Sequence, residues 1–333
     1  MIPRLSLEIL TPVAAAGAIA LGALLSLTTA LADSQQPIRL LVGFPAGGSS
    51  DAIARHLAQG LQQELGRNVV VENKPGAGGQ IAAQALKAAR PDGSTLFLSN
   101  SHTVAMIPLT QQNPGFDTAR DFAPVGLVAV NPDVMAVSTA VLGTTGTGLR
   151  VFAQWARANP GKASVGVPAP ASAPDFAVGL VGRALGVDLV SAPYRGDGPI
   201  ALDLVSGQIP AGIGSVAAML PQAKAGKIRI VAVNGSKRLP QLPDVPTYAE
   251  QGIKGYEEVI FTAVFAPAGM PAALLKDYSA AVAKVANSAE FGDKLSALGV
   301  IPASSTAAEL AARVQATQQS WGAMVRNAGY KPQ

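Results

Sequence analysis

Residues 38–73 read IRLLVGFPAGGSSDAIARHLAQGLQQELGRNVVVEN, and the fold turns on this stretch. An apolar run, Ile38 to Phe44, passes through glycines and two serines into Ile53, Leu57, Leu61 and Leu65, spaced four apart and closed by Gly66. That spacing puts four aliphatic side chains on one helical face. The short apolar runs on either side, the second being Val69 to Glu72, read as buried strands. A connection that contains a whole helix joins strands lying parallel, with the crossover right-handed and the helix covering the sheet.

Working outward, a second helix follows Gly78-Gly79, with Ile81, Ala82, Ala85 and Ala89 expected on its inner face, and Thr95 to Ser99 forms a third strand. A second α/β segment starts after Asn131-Pro132. Its expected strands are 134–137, 164–167, 189–192, 212–215 and 228–233, with helices near 149–158, 176–185, 199–206 and 217–225. The proline-rich stretch from Asn234 to Gly255 reads as a surface excursion before another strand, Val259 to Ala266. Helices follow at 271–287, in a short piece to Leu298, and after Thr306. There Thr306 and Glu309 make a capping box ahead of an apolar face of Leu310, Val314, Trp321 and Val325. The expected fold is α/β in two lobes, with mostly parallel sheets, helices on both faces and a helical tail packed back on the first lobe.

The first 32 residues stand apart. Arg4, an apolar stretch from Ala14 to Leu27 and then Ala30-Leu31-Ala32 before Asp33 read as a secretory signal cleaved after Ala32. A membrane anchor, the competing reading, wants about 20 apolar residues, more than this run offers. The expected division is 1–32 signal, 33–130 plus 256–333 lobe 1, and 131–255 lobe 2. With no cysteine in the chain there is no disulfide, thiol nucleophile or lipidated cysteine, so an exported product is expected free in the periplasm, as a monomer. The net charge of +4 comes from basic residues spread singly, which attract small anions weakly and make no nucleic-acid footprint.

Catalytic signatures are missing. Asp51 stands where a G-x-S-x-G turn needs its last glycine. Two histidines, His56 and His102, without cysteine make no zinc site of the usual kind, and His56 reads as a helix-surface residue. Gly43, Gly47 and Gly48 do not fit G-x-G-x-x-G, and Lys74 precedes its glycines where a phosphate-loop lysine follows them, so no cofactor is expected. The glycine loop itself remains. Free N–H groups and the positive end of a helix dipole favour a carboxylate or phosphate without a cationic side chain. Each charge-assisted bond contributes about 1.5–3 kcal/mol, against the roughly 8 kcal/mol of a micromolar ligand. The same glycines are also what tight strand-to-helix packing requires, with Ser50 or Asp51 capping the helix. The loop's place beyond the carboxyl end of a strand favours the ligand reading.

In order along the chain, PIRLLVGFPAGGSSDAIARHLAQGLQQELGRNVVVENKPGAGGQIAAQAL, PDGSTLFL, DFAPVGLVAVNPDVMAV, VDLVSAPYRGDGP, AGKIRIVAV, LPDVPTYAEQG and FAPAGMP resemble the extracytoplasmic solute receptors of tripartite tricarboxylate transporters, typified by TctC and the Bordetella Bug proteins. The resemblance implies a type II periplasmic binding protein, a Venus flytrap that closes on a small carboxylate between its lobes and delivers it to the large and small membrane subunits of a transporter. It implies that the loop Phe44, Pro45, Ala46, Gly47, Gly48, Ser49, Ser50 and Asp51 holds the ligand's carboxylate by main-chain and hydroxyl contacts. The chain departs from the family at Ala171-Ser172-Ala173-Pro174-Asp175, where many members carry Gly-Thr-Ser-Ser-His, at Gly214-Ser215, where an Asp-Asn pair is common, and at Ile260-Phe261-Thr262-Ala263.

Such a second lobe, lined by Ser172, Asp175 and Ser215, suits a ligand with one carboxylate and an apolar or aromatic body beside Phe261. Arg195 is the candidate for a second anionic group, or else a rim ion pair with Asp197. Ser101 and His102 are expected to line the first lobe, with a plain loop histidine the alternative for His102. A sensing subunit for two-component signalling would share this cleft, and an enzyme would need a pair such as Asp175 with His102.

Overall fold

The computed structural model describes residues 36–333, so the expected signal and its cleavage site lie outside the described residues. The first sheet contains β1 (Ile38–Val42), β2 (Val69–Asn73), β3 (Thr95–Asn100), β4 (Phe122–Asn131), β10 (Ile260–Pro267) and β11 (Ile301–Pro302), in the order β11-β4-β10-β3-β1-β2. The second contains β5 (Asp133–Ser138), β6 (Ser164–Val167), β7 (Val190–Pro193), β8 (Ala211–Ser215) and β9 (Ile228–Val233), in the order β7-β6-β8-β5-β9. The longer helices are α1 (Ser49–Leu65), α2 (Gln80–Lys87), α3 (Leu149–Ala158), α4 (Ala173–Leu185), α5 (Asp197–Ser206), α6 (Val216–Lys224), α7 (Ala272–Ala286), α8 (Ala289–Ala297) and α9 (Ala307–Asn327).

Alternation along β1 explains the layering. Leu40 and Val42 meet Ile53, Leu57 and Leu61 of α1 on one face, while Leu41 points to the other, among Leu86 and Phe97. The second sheet is covered in the same way, by Phe152 and Val181 on one side and by Ile200, Leu204 and Met219 on the other.

Most strands of each sheet run one way, as expected, and the sheets are mixed because β5, β10 and β11 run the other. β1, β2 and β3 are parallel, as are β6, β7 and β8, but β10 runs against β3 and β4, and β5 against β8 and β9. Direction follows from where the chain enters. β5 and β10 are the strands by which it crosses into each lobe. Each starts beside the carboxyl ends of its neighbours, Asp133 opposite Ser215 and Thr262 opposite Asn100, and must run away from them.

Three expectations change. Ile81 is 49% exposed, and α2 buries Ala82, Ala83 and Leu86. The excursion after β9 is anchored by the buried side chains of Leu239, Tyr248 and Ile253. The last helix, its capping box intact, does not rest on the first lobe alone. Leu310 and Val314 join the cluster of Phe97 and Phe265, while Trp321, Met324 and Val325 join that of Phe152 and Tyr248.

Candidate functional site

In the first lobe three loops meet at the carboxyl ends of β1, β2 and β3. A side chain on Gly43 would stand 2.6 Å from the Cα of Gly79, so the first two loops touch backbone to backbone. The second loop runs through four successive positive φ values, Gly76 to Gly79, with Ala77 among them. It is held from the third, because Thr103 Oγ1 donates to the Gly78 carbonyl at 2.7 Å.

The loop after β1 is built around Asp51. This side chain is buried; its Oδ2 accepts the Gly47 N–H and Arg55 Nε, each at 2.9 Å, and its Oδ1 accepts Asn73 Nδ2 at 3.0 Å. Burial pushes the Asp51 carboxyl up, and the Arg55, Gly47 and Asn73 hydrogen bonds outweigh that and hold it below the usual range. The Asp51 carboxylate is thus the brace of the loop, which leaves only the Asp51 main chain for a ligand: it fixes Gly47 at φ +82° and consumes the Gly47 N–H. Gly48 is the N-cap and makes no side-chain cap, so the N–H groups of Ser49, Ser50 and Asp51 have no partner among the described residues. Ser49 Oγ is buried and equally unpartnered. Phe44 is half-buried, and Pro45 to Gly48 lie exposed. Three free donors at a helix N-terminus and an orphaned hydroxyl give this loop, called the cradle, the chemistry to hold an anion.

The second lobe repeats the construction. Four residues before Asp175, Ala171 takes φ +52°, a backbone that L residues rarely adopt, and its N–H donates to Asp175 Oδ2 at 2.7 Å, while Ser191 Oγ donates to Oδ1. Asp175 therefore braces its loop as Asp51 does. Ser172 caps α4, its Oγ accepting the Asp175 N–H at 3.3 Å. The donor supply differs. Pro174 has no N–H and that of Asp175 is taken, so of the first three helical N–H groups only Ala173 keeps one free, against three in α1.

The remaining expected residues are dispersed. Ser101 is buried and its hydroxyl accepts the Phe261 N–H at 3.3 Å, tying β3 to β10. Phe261 does not face the cleft. It is fully buried in the first lobe, in the same hydrophobic cluster as Phe97 and Phe265, and the Arg313 guanidinium lies 5.3 Å over its ring. Ser215 holds Asp197, donating from Oγ to Oδ2 at 2.7 Å and from N to Oδ1 at 3.3 Å. Arg195 is exposed and forms no ion pair among the described residues, so the Asp197 partnership is not made. The braces escaped sequence reading, although an Asp four residues beyond a small residue in each loop is a signal that could have exposed them.

His102 lies at the edge of the third loop, its Nδ1 buried without a partner and its Nε2 2.7 Å from where a Gly78 side chain would begin. Burial lowers its pKa from 6.5 to about 4. The imidazole is neutral at neutral pH. In the unfolded chain it takes a proton first, so stability is lost as pH falls from 6.5 through about 4. His102→Gln is expected to flatten that part of the melting-temperature profile between pH 7 and 4.5; an unchanged profile would mean the imidazole is hydrated.

Two mixed α/β sheets joined by crossing strands, with free N–H donors beyond the carboxyl end of β1, are the architecture of a two-lobed binding protein. Residues 53–330 match the model of the tripartite tricarboxylate transporter family receptor, TctC, and the chain belongs to this family. It is 31% identical over 312 residues, 91% of this chain and 92% of the relative, to the UPF0065 protein in the tcbD-tcbE intergenic region of Pseudomonas sp. strain P51. Among solved structures it is similar to R. palustris Rpa4515 with adipate, with a TM-score of 0.82 and 30% identity, covering 89% of this chain and 98% of that one. It is also similar to MatC from Rhodopseudomonas palustris with bound malate, with a TM-score of 0.76 and 27% identity, covering 87% and 98%. The family is one of receptors and not of enzymes.

Proposed function

We infer that this chain is a periplasmic receptor that captures a small organic acid between its lobes and hands it to the large and small membrane subunits of a tripartite tricarboxylate transporter. The observation that carries this reading is the cradle at α1, with its three unpartnered N–H groups and the buried Ser49 hydroxyl. One ligand carboxylate sits there. At the start of α4 the donors thin out to Ala173, so the other end of the ligand is uncharged or carries its second anion on the side of the exposed Arg195. The ligands in the related structures, adipate and malate, support the chemical class. Among the described residues no helix is long and apolar enough to cross a membrane, which agrees with a protein secreted by an N-terminal signal.

The test is a thermal-shift screen against mono-, di- and tricarboxylates and aromatic acids, repeated on Gly48→Trp. A ligand at 100 times its dissociation constant adds about 2.7 kcal/mol and raises the melting temperature by a few degrees. Gly48 has φ −80° and ψ 171°, open to any residue, so the variant keeps its fold and is expected to lose the shift. Equal shifts in the two proteins would remove the cradle from the site. Arg195→Ala separates the ligand classes: weaker binding of dicarboxylates alone would place their second anion at Arg195.

A further inference from the structure

Both passages of the chain between the lobes converge on one buried carboxyl group. Asp133, the first residue of β5, follows Pro132 directly and is 2% exposed. Its N–H donates to Asn234 Oδ1 at 2.8 Å, and its Oδ2 accepts the Tyr256 hydroxyl at 2.9 Å from the returning segment. Asn234 Nδ2 donates in turn to the Glu258 carbonyl at 3.2 Å. The outgoing and returning segments are thereby tied to each other beside the hinge.

The same group has a second acid for a neighbour. Asp133 is the register partner of Ser215, and Ser215 holds the Asp197 carboxylate through its N–H and its hydroxyl. The titratable groups that face Asp133 are Asp197 from the start of α5, Tyr256 from the return, and Tyr248, whose ring stands edge-on to Tyr256 at 5.1 Å and whose hydroxyl is buried without a partner. No cationic side chain pairs with either carboxyl group among the described residues. Two neighbouring carboxyl groups without a cation, Asp133 buried and Asp197 half-buried, disfavour each other's ionisation. Burial, and then the charge of Asp197, push Asp133 up to about 8, and burial raises Asp197 as well.

This pair lies where the lobes press together. The backbone of Gly299, in the first lobe, packs on the start of α6 just after Ser215, and a side chain there would stand 3.2 Å from Ala217 Cα. Opening the hinge separates these surfaces and lets water reach the pair, which favours ionisation. Closing around an anionic ligand expels the water and adds negative charge, which favours the protonated form.

We propose that closure of this receptor on its carboxylate ligand takes up a proton from solvent at the Asp133–Asp197 pair, with Asp133 a positioning residue of the hinge that does not touch the ligand. The proposal rests on the carboxylate-receptor reading. On opening the same proton returns to solvent, so the cycle balances.

Two measurements on the full mature protein test it. Without ligand, small-angle scattering from pH 6 to pH 9.5 is expected to show the wild-type chain expanding as pH rises, and Asp133→Asn, which keeps an oxygen for Tyr256, staying at one size. With adipate as the probe, doubly ionised throughout the range, the wild-type affinity is expected to fall at least about fivefold between pH 6.5 and 9, and that of Asp133→Asn to stay constant. Asp197→Asn, which removes the neighbouring charge, is expected to move the wild-type transition to lower pH. A pH response shared equally by wild type and Asp133→Asn in scattering overturns the proposal, as does equal loss of adipate affinity in both. Adipate that binds neither protein at any pH counts against this probe as a ligand of the receptor, and the scattering still decides the proton uptake.

Discussion

In Asp51→Ala, binding at the cradle is expected to disappear and the fold to lose about 2–4 kcal/mol. The side chain is 3% exposed, and its carboxylate is the shared acceptor of Gly47 N–H, Arg55 and Asn73. Removing it takes the acceptor from the Gly47 N–H and one of two from the Asn73 amide, which keeps the Phe44 carbonyl at 3.1 Å, and frees Gly47 from φ +82°. The N–H groups of Ser49 and Ser50 are aimed by that loop, so their direction goes with it. Asp51→Asn keeps one acceptor oxygen but turns an amide toward one of the three donors, and is expected to fall between the two. The effect has a pH signature. A carboxylate held below its usual range stabilises the fold above that range and loses the contribution as pH falls through its lowered folded value, so wild type and Asp51→Ala should converge in melting temperature as pH drops below the ordinary carboxylate range. A variant that melts lower but still shows a full carboxylate-induced shift would make Asp51 a stability residue only.

Asp51 also shows where sequence reading ends. The strand, loop and helix of 38–65 were legible because a four-residue apolar spacing and a closing glycine have one physical reading, and α1 buries Ile53, Leu57 and Leu61 as that spacing demands. Which side chain in the loop contacts a ligand and which holds the loop up was not legible, because it depends on Asn73, which is 22 residues away in sequence. Phe261 failed for a related reason. Alternation along a strand says that residues 261 and 262 face opposite ways without saying which face meets solvent, and Arg313, from the far end of the chain, covers the ring. The reversed course of β5 and β10 left no trace in hydrophobic pattern, since period two is the same in both directions. The duplicate brace at Asp175 was hidden by prolines, which changed the composition of the loop but kept its geometry.

Trp321→Ala is expected to cost about 3–5 kcal/mol, the usual loss for a large aromatic removed from a core, and to alter the hinge as well as stability. Trp321 is 1% exposed, and with Met324 and Val325 it joins a cluster that contains Ala105 and Met106 of the first lobe as well as Phe152 and Tyr248 of the second, while Leu310 and Val314 root the first turns of α9 in the first lobe. One helix packed against both bodies limits how far they can swing, and Tyr330, edge-on to Phe176 at 5.4 Å, extends that grip to α4 beside the Ala171 loop. A cavity at Trp321 loosens the cluster through which the end of α9 holds the two lobes to each other. Scattering on the ligand-free variant should therefore show a wider distribution of lobe separations, and carboxylate affinity should weaken because closure must order a freer hinge. Trp321→Phe supplies the control. The indole Nε1 is buried without a hydrogen-bond partner, so phenylalanine removes an unsatisfied donor while keeping most of the apolar contact, and it is expected to cost less than half of what alanine does. If alanine and phenylalanine prove equally damaging, the indole Nε1 carries a hydrogen bond, to water, that anchors the helix. If alanine lowers stability and leaves both lobe separation and affinity unchanged, α9 follows the moving lobe passively and does not restrain it.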